Sequence, residues 1–310
     1  MNTNFLKELI TIPGASGDEA VIKNFILKHI EATQSEWAVK PKIIHGTGFQ
    51  DTLTLVFGEQ PKTAIFAHID TIGFTVGYNN NLIKIGAPRT IDGMPLVGKD
   101  SQSEFETELM VIEEENGPEH YQAILDRPID RGTVLTFKPN FREDDDFVIS
   151  PYMDNRLGVW VALEVAKTMT SGVIVFSTYE ETGGGSVGFL GRYLYDTYGI
   201  QQALISDITW VTDGVTHGNG VAISMRDKGI PRQSFLRKII AIAQESNIKY
   251  QLEVESAGGS DGTALQHSPL PFDWCFIGAP EDNVHSPDET VHKQDIQAMI
   301  DLYKVLMAEL

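Results

Sequence analysis

The sequence predicts an α/β protein in which a mixed sheet is sandwiched by helices and interrupted by an inserted all-β, barrel-like domain. Three observations carry that expectation. Strand-forming runs alternate with segments of helical period both before residue 71 and after residue 148. Residues 72–147 break the alternation, because short alternating runs there are separated by turn signals and no helical period of useful length occurs. At 310 residues the chain has room for a host domain, 1–71 with 148–310, and for an all-β domain inserted at 72–147.

Taken in order, residues 2–32 form two helices broken at Pro13 and Gly14, the second with apolar Val21, Ile22, Phe25, Ile26 and Ile30. Strands are expected over 53–57 and 63–69, the second ending in His68, Ile69 and Asp70. Inside the insertion, strands are expected over 73–78, 82–85, 109–113 and 133–137. Asn79, Asn80 and Asn81, and the triplet Asn116, Gly117, Pro118, mark turns. The host pattern resumes with a helix from Asp154 to about Met169, apolar on more than one side. A strand over 173–176 then leads through Glu180, Glu181 and three glycines to a helix over 187–198. Strands over 203–208 and 221–225, a helix over 233–245, a strand near 250–254 and a short helix after Ser260 follow. A strand over 273–277 and a helix from 293 to 310 close the chain.

Charge narrows the partners. With 24 basic and 43 acidic residues the net charge is -19, and no cluster of Lys and Arg is present to displace counterions from a nucleic acid. No nucleic-acid partner is expected. The single cysteine, Cys275, lies in an apolar run and allows no internal disulfide, which fits a small buried hydrophobe in a reducing compartment. Lys7 and Glu8 interrupt what would have to be the apolar part of a signal peptide. The longest apolar stretch, 157–163, is far below the roughly 20 residues a bilayer demands. A cytoplasmic protein without a membrane partner is expected.

Five segment ends carry residue types that bind metals: His68 with Asp70, Asp154, Glu180 with Glu181, Asp207, and His285. In open α/β sheets such ends surround the ligand crevice. Each taken singly has a plain structural explanation. Glu180 and Glu181 suit a solvated acidic turn, His68 a satisfied core histidine, Asp154 a helix N-cap, and Asp207 and His285 loop or capping positions. Together they suit a metal site. His68 and Asp70 stand two apart on one strand face, where a carboxylate can fix the tautomer of a ligating imidazole. Asp154, Glu181 and Asp207 contribute minus three and two neutral imidazoles nothing, so two divalent ions and one hydroxide bring the set to neutrality. Without a metal these acids repel one another. His45, His120, His217, His267 and His292 are assigned to loops or surface, His217 in a glycine-containing loop near the proposed site.

The stretches AHIDTIGF (67–74), MDNRLG (153–158), EETGG (180–184), DIT (207–209), AGGSDG (257–262) and HSPDE (285–289) together resemble the glutamyl, deblocking and tetrahedral aminopeptidases. That resemblance implies a zinc-exopeptidase-like fold and two divalent ions per subunit, zinc first, with cobalt or manganese as alternatives. It implies one ion held by His68, Asp154 and Asp207 and a second by Asp154, Glu181 and His285, with Asp154 shared. It also implies that Asp70 orients His68, that Glu180 is the general base, and that the insertion serves subunit contacts in dimers up to dodecamers. The substrates implied are short peptides with a free N-terminus. Thr71 stands where many members carry Glu, and the residues after Glu181 are richer in glycine. Two other readings remain: a related co-catalytic hydrolase, either an N-acyl amino acid deacylase or a carboxypeptidase, and a metal-stabilised assembly protein without catalysis.

Overall fold

The computed structural model describes residues 1–113 and 117–310. Of the turn triplet at 116–118, Asn116 lies outside the described residues. The host elements assemble into an 11-stranded mixed sheet. Its centre is parallel: Thr63–His68 lies between Gly172–Ser177 and Gln202–Trp210, and Gln202–Trp210 pairs in turn with Asp273–Asp282.

Alternation along these strands sends successive side chains to opposite faces. Leu55, Ile65, Ala67, Ile174, Phe176 and Leu204 face one core, built with Leu6, Leu9, Ile22, Leu157, Trp160, Ile239 and Tyr303 from helices. Val56, Ala64, Phe66, Val173, Val175 and Ile205 face the other, against Leu190, Leu194 and Leu265. Both faces are therefore apolar, which is why these strands are near-continuous hydrophobic runs. The helix Met153–Ala166 is buried at nearly every position, matching its apolar character on more than one side. Tyr303 ties this layer to the sheet, its hydroxyl donating to the carbonyls of Ile205 and Ile277 at 2.6 and 2.9 Å.

Six strands between Gly73 and Phe137 close into a separate barrel around Phe74, Leu82, Leu96, Leu109, Leu135 and Phe137. Four were expected. Pro95–Lys99 and His120–Ile124 complete the barrel, and each turns only one fully buried side chain inward, Leu96 and Ala123. Arg142–Glu143 and Phe147–Ile149 already pair within the large sheet, Phe147 opposite His292. Asp207 corrects one expectation: it lies inside its strand, not at its end. Residues 207–210 stay in register with Gly278, Ala279, Pro280 and Glu281, so the strand runs on to Trp210. Among the described residues no helix is long and apolar enough to cross a membrane. Cys275 is buried and free, as expected.

Candidate metal centre

The parallel centre of the sheet carries His68 at the end of its strand and Asp207 one strand away. The turn after Gly172–Ser177 brings Glu180 and Glu181 above them, and the start of the helix Met153–Ala166 brings Asp154. His285 arrives from the loop after Asp273–Asp282. Tyr152, not Asp154, occupies the cap position of this helix. Tyr152, Tyr179 and His285 hold φ values of 67°, 62° and 63°. Left-handed backbone at such bulky residues costs on the order of 1–3 kcal/mol each and tends to be kept where a site requires it. Gly184 also adopts a positive φ, 75°, and donates to the Tyr179 carbonyl at 2.6 Å, closing the turn that carries both glutamates.

Two overlapping groups of donors result. One ligand atom from each of His68, Asp154 and Asp207 lies within 4.8 Å of the others, and the same holds for Asp154, Glu181 and His285. Asp154 belongs to both: its Oδ1 lies 3.1 Å from His68 Nε2 and its Oδ2 3.3 Å from His285 Nε2. Asp207 Oδ2 approaches His68 Nε2 to 3.6 Å, and Glu181 Oε2 approaches His285 Nε2 to 3.4 Å. Glu180 belongs to neither group, its Oε2 standing 4.0 Å from His68 Nε2.

The donor chemistry fits divalent cations. His285 Nδ1 lies 3.1 Å from the Ala87 carbonyl, and His68 Nδ1 3.2 Å from the Asp70 carbonyl. A carbonyl only accepts, so each Nδ1 carries the hydrogen and each Nε2 turns toward carboxylates. Two such acceptor sets facing each other need positive charge between them. His68 Nε2 and Glu181 Oε1 are buried without a hydrogen-bond partner among the described residues. Burial, then neighbouring Asp154, pushes the Glu181 pKa well above the ordinary carboxyl range; Glu180 rises similarly, through burial and through Asp207 and Asp261. Burial works against a charged His68, yet Asp207, Asp154 and Asp70 hold its pKa well above 6.5. The same three carboxylates that favour a positive imidazole would favour a divalent ion beside it.

The surrounding groups explain the geometry. Asp70 Oδ1 stands 3.5 Å from His68 Nδ1 and also accepts from the Glu180 N–H at 3.1 Å, while Oδ2 accepts from the Glu181 N–H at 3.2 Å. Ser16 donates to the same Oδ2 at 2.5 Å. Glu289, fully buried, accepts from the Asp154 N–H at 3.2 Å and the His285 N–H at 2.8 Å, fixing two candidate ligands at once. Glu289, Ser16 and the Ala87 carbonyl gave no signal of their own in the sequence because their contacts, to backbone N–H groups, to the Asp70 carboxylate and to an imidazole, are made only in the folded chain. For Glu289 the HSPDE stretch held a usable signal. His217, expected near the site, instead faces Asp282 at 3.2 Å, and it is His267 that lines the cavity.

Behind Asp70, Glu19 is 2% exposed and accepts from the Gly17 N–H at 2.9 Å. Burial pushes its pKa from 4.5 up to about 7. The folded protein therefore keeps a proton that the unfolded chain releases, and stability falls as pH rises from about 4.5 to about 7. Glu19→Gln removes that slope. Urea unfolding is expected to show the variant more stable than the parent at pH 8, by up to about 3 kcal/mol, with the advantage gone at pH 4.

Comparison with known proteins places the family and the fold. The family model for M42 glutamyl aminopeptidases matches residues 96–302. A provisionally named aminopeptidase of Acetivibrio thermocellus is 26% identical over 330 residues, covering 96% of each chain. Among solved structures, the TET1 peptidase of Pyrococcus horikoshii superposes with a TM-score of 0.81 at 22% identity, covering 98% of both chains. A TET aminopeptidase from the archaeon Thaumarchaeota archaeon SCGC AB-539-E09 gives 0.85 at 16% identity, over 99% of this chain and 96% of that one. These likenesses bear out the expected zinc-exopeptidase-like fold. With the family model spanning two thirds of the sequence, the chain belongs to the M42 glutamyl aminopeptidase family, hydrolases acting on peptide bonds.

Proposed function

We propose that the protein is a two-metal aminopeptidase that removes N-terminal residues from short peptides. The observation that carries this reading is Asp154, whose two carboxylate oxygens face two different imidazoles. His68, Asp154 and Asp207 would hold one divalent ion and Asp154, Glu181 and His285 the other, zinc being the first choice and cobalt or manganese the alternatives. Bound there, the ions would polarise the scissile carbonyl and acidify water.

Glu180 is the general base. It lines the cavity, is held by Asp70 through its backbone N–H, and is not used by either donor group. Its carboxylate takes a proton from the attacking water and passes it to the leaving amine, so the base is regenerated as the amide bond breaks. Asp70 is a positioning residue, since it grips the backbone of both glutamates as well as facing His68. Acid groups around the cluster suit the free ammonium group of a substrate and disfavour a second carboxylate, which favours peptides over N-acyl amino acids.

The barrel, within the insertion expected at 72–147 on the 1–71 and 148–310 host, is a candidate for subunit contact; its strands end at Phe137, and the strands from Arg142 onward already belong to the host sheet. A homo-oligomer, from dimer to dodecamer, is in keeping with the Pyrococcus horikoshii relative, which assembles into a tetrahedron or a large octahedral shell. A single buried thiol suits a cytoplasmic location. Amino-acid p-nitroanilides should be hydrolysed in a reaction abolished by EDTA and restored by zinc or cobalt. Cleavage of N-acyl amino acids in their place would sink the aminopeptidase reading, and no amide cleavage at all would favour a non-catalytic assembly role.

A further inference from the structure

The cavity that contains the metal centre measures about 820 Å³ and extends well past Asp207. Two residues further along the same strand, the Thr209 hydroxyl donates to Glu253, and the chain beside Glu253 brings in Asp227 and Glu255. All three acids line the cavity. Lys228 lines it too, but no ion pair joins it to any of them among the described residues, and three acids against one ammonium give this region a formal charge of minus two, with burial raising the pKa of Asp227 and Glu253.

Glu253 is the telling residue, because its strand is inside out. Along Tyr250–Val254 the apolar Leu252 and Val254 are 45% and 67% exposed, whereas Glu253 between them is 3% exposed. Alternation would normally bury the aliphatic residues and expose the acid. Burial without a cation raises the Glu253 pKa and makes its charged form costly, a cost that a positive group entering the cavity would remove. The hydroxyls of Thr209 and Ser224, the latter opposite Glu253 in register, are the neutral groups that face this acid, and neither brings a positive charge.

We propose that this part of the cavity selects a cationic N-terminal residue, lysine or arginine, with Glu253 as the specificity residue and Asp227 and Glu255 beside it. The inference rests on the aminopeptidase reading above and deepens it. Trp210, part-exposed on the cavity wall, offers an indole face to the alkyl stem or the guanidinium. A glutamyl side chain entering the same space would meet like charge, so the preference departs from the one in the family's description.

The test compares kcat/KM of the zinc- or cobalt-loaded full chain on lysyl, arginyl, leucyl and glutamyl p-nitroanilides. Lysyl and arginyl substrates are expected to exceed leucyl by about tenfold or more, with glutamyl slowest. Glu253→Gln should lower the lysyl to leucyl ratio about tenfold, mainly through KM. That ratio, read within one preparation, does not depend on how much of the variant folds. Calorimetry on the EDTA-treated chain supplies a readout without turnover, in which L-lysinamide should bind more tightly than L-norleucinamide. A leucyl or glutamyl preference left unmoved by Glu253→Gln, or equal binding of the two amides, would overturn the proposal. If none of the four substrates is cleaved, the aminopeptidase reading fails, and the calorimetric comparison still decides what the pocket selects.

Discussion

Glu180→Gln is expected to lower kcat on an amino-acid p-nitroanilide by about a thousandfold, within the 10²- to 10⁴-fold that a positioned general base supplies, and to leave metal content unchanged. The substitution keeps the size of the side chain and the backbone N–H that donates to Asp70 at 3.1 Å, so the turn carrying Glu181 stays in place. Neither donor group includes Glu180, and its nearest imidazole atom is 4.0 Å away. What disappears is the proton acceptor. An amide oxygen cannot hold a proton between its removal from water and its delivery to the leaving amine. Burial, with Asp207 and Asp261 nearby, makes the Glu180 carboxylate more basic than an exposed one, a property lost with the charge. Metal analysis by plasma emission alongside the rate separates the outcomes. Near-normal turnover with metal retained removes the assignment, while loss of metal with activity would make Glu180 a ligand.

The contrast between what the sequence exposed and what it hid follows from the kind of interaction involved. The helix Val187–Tyr198 and the strand Tyr250–Val254 matched their expected bounds, and Leu53–Phe57 did as well, because period and turn residues are local properties. Lys42–Ile44 and Thr290–His292 were invisible, being three-residue strands stabilised by their neighbours in the sheet. The five ligand-type positions were legible as a set, because His and acid residues recur at or just after apolar runs, although each alone has a plain structural explanation. Their roles were less so. Asp70, expected to orient His68, also fastens the Glu180 and Glu181 backbone, and that second duty depends on a turn 110 residues away in sequence. Glu253 was passed over entirely: YQLEV announces a strand, but only the fold reveals that its acid points inward.

Asp154→Ala should abolish more than activity. Each candidate group has three protein donors and both count Asp154, so its removal leaves His68 with Asp207 on one side and Glu181 with His285 on the other. Two-donor sites bind divalent ions far more weakly than three-donor ones, and bound metal is expected to fall from about two ions per chain to less than one. The fold should survive, because Glu289 accepts from the Asp154 backbone N–H, which alanine retains, and the helix behind it is buried at nearly every position. Stability then reports the same loss independently of catalysis. A metal at a thousand times its dissociation constant stabilises the folded state by about 4 kcal/mol, so the parent's Tm should drop when EDTA is added. The variant, with little metal to lose and one fewer carboxylate in a mutually repelling cluster, should show almost no EDTA-dependent change. If Asp154→Ala instead keeps two ions and the full EDTA response, the two donor groups do not share this carboxylate and the paired-metal arrangement is wrong.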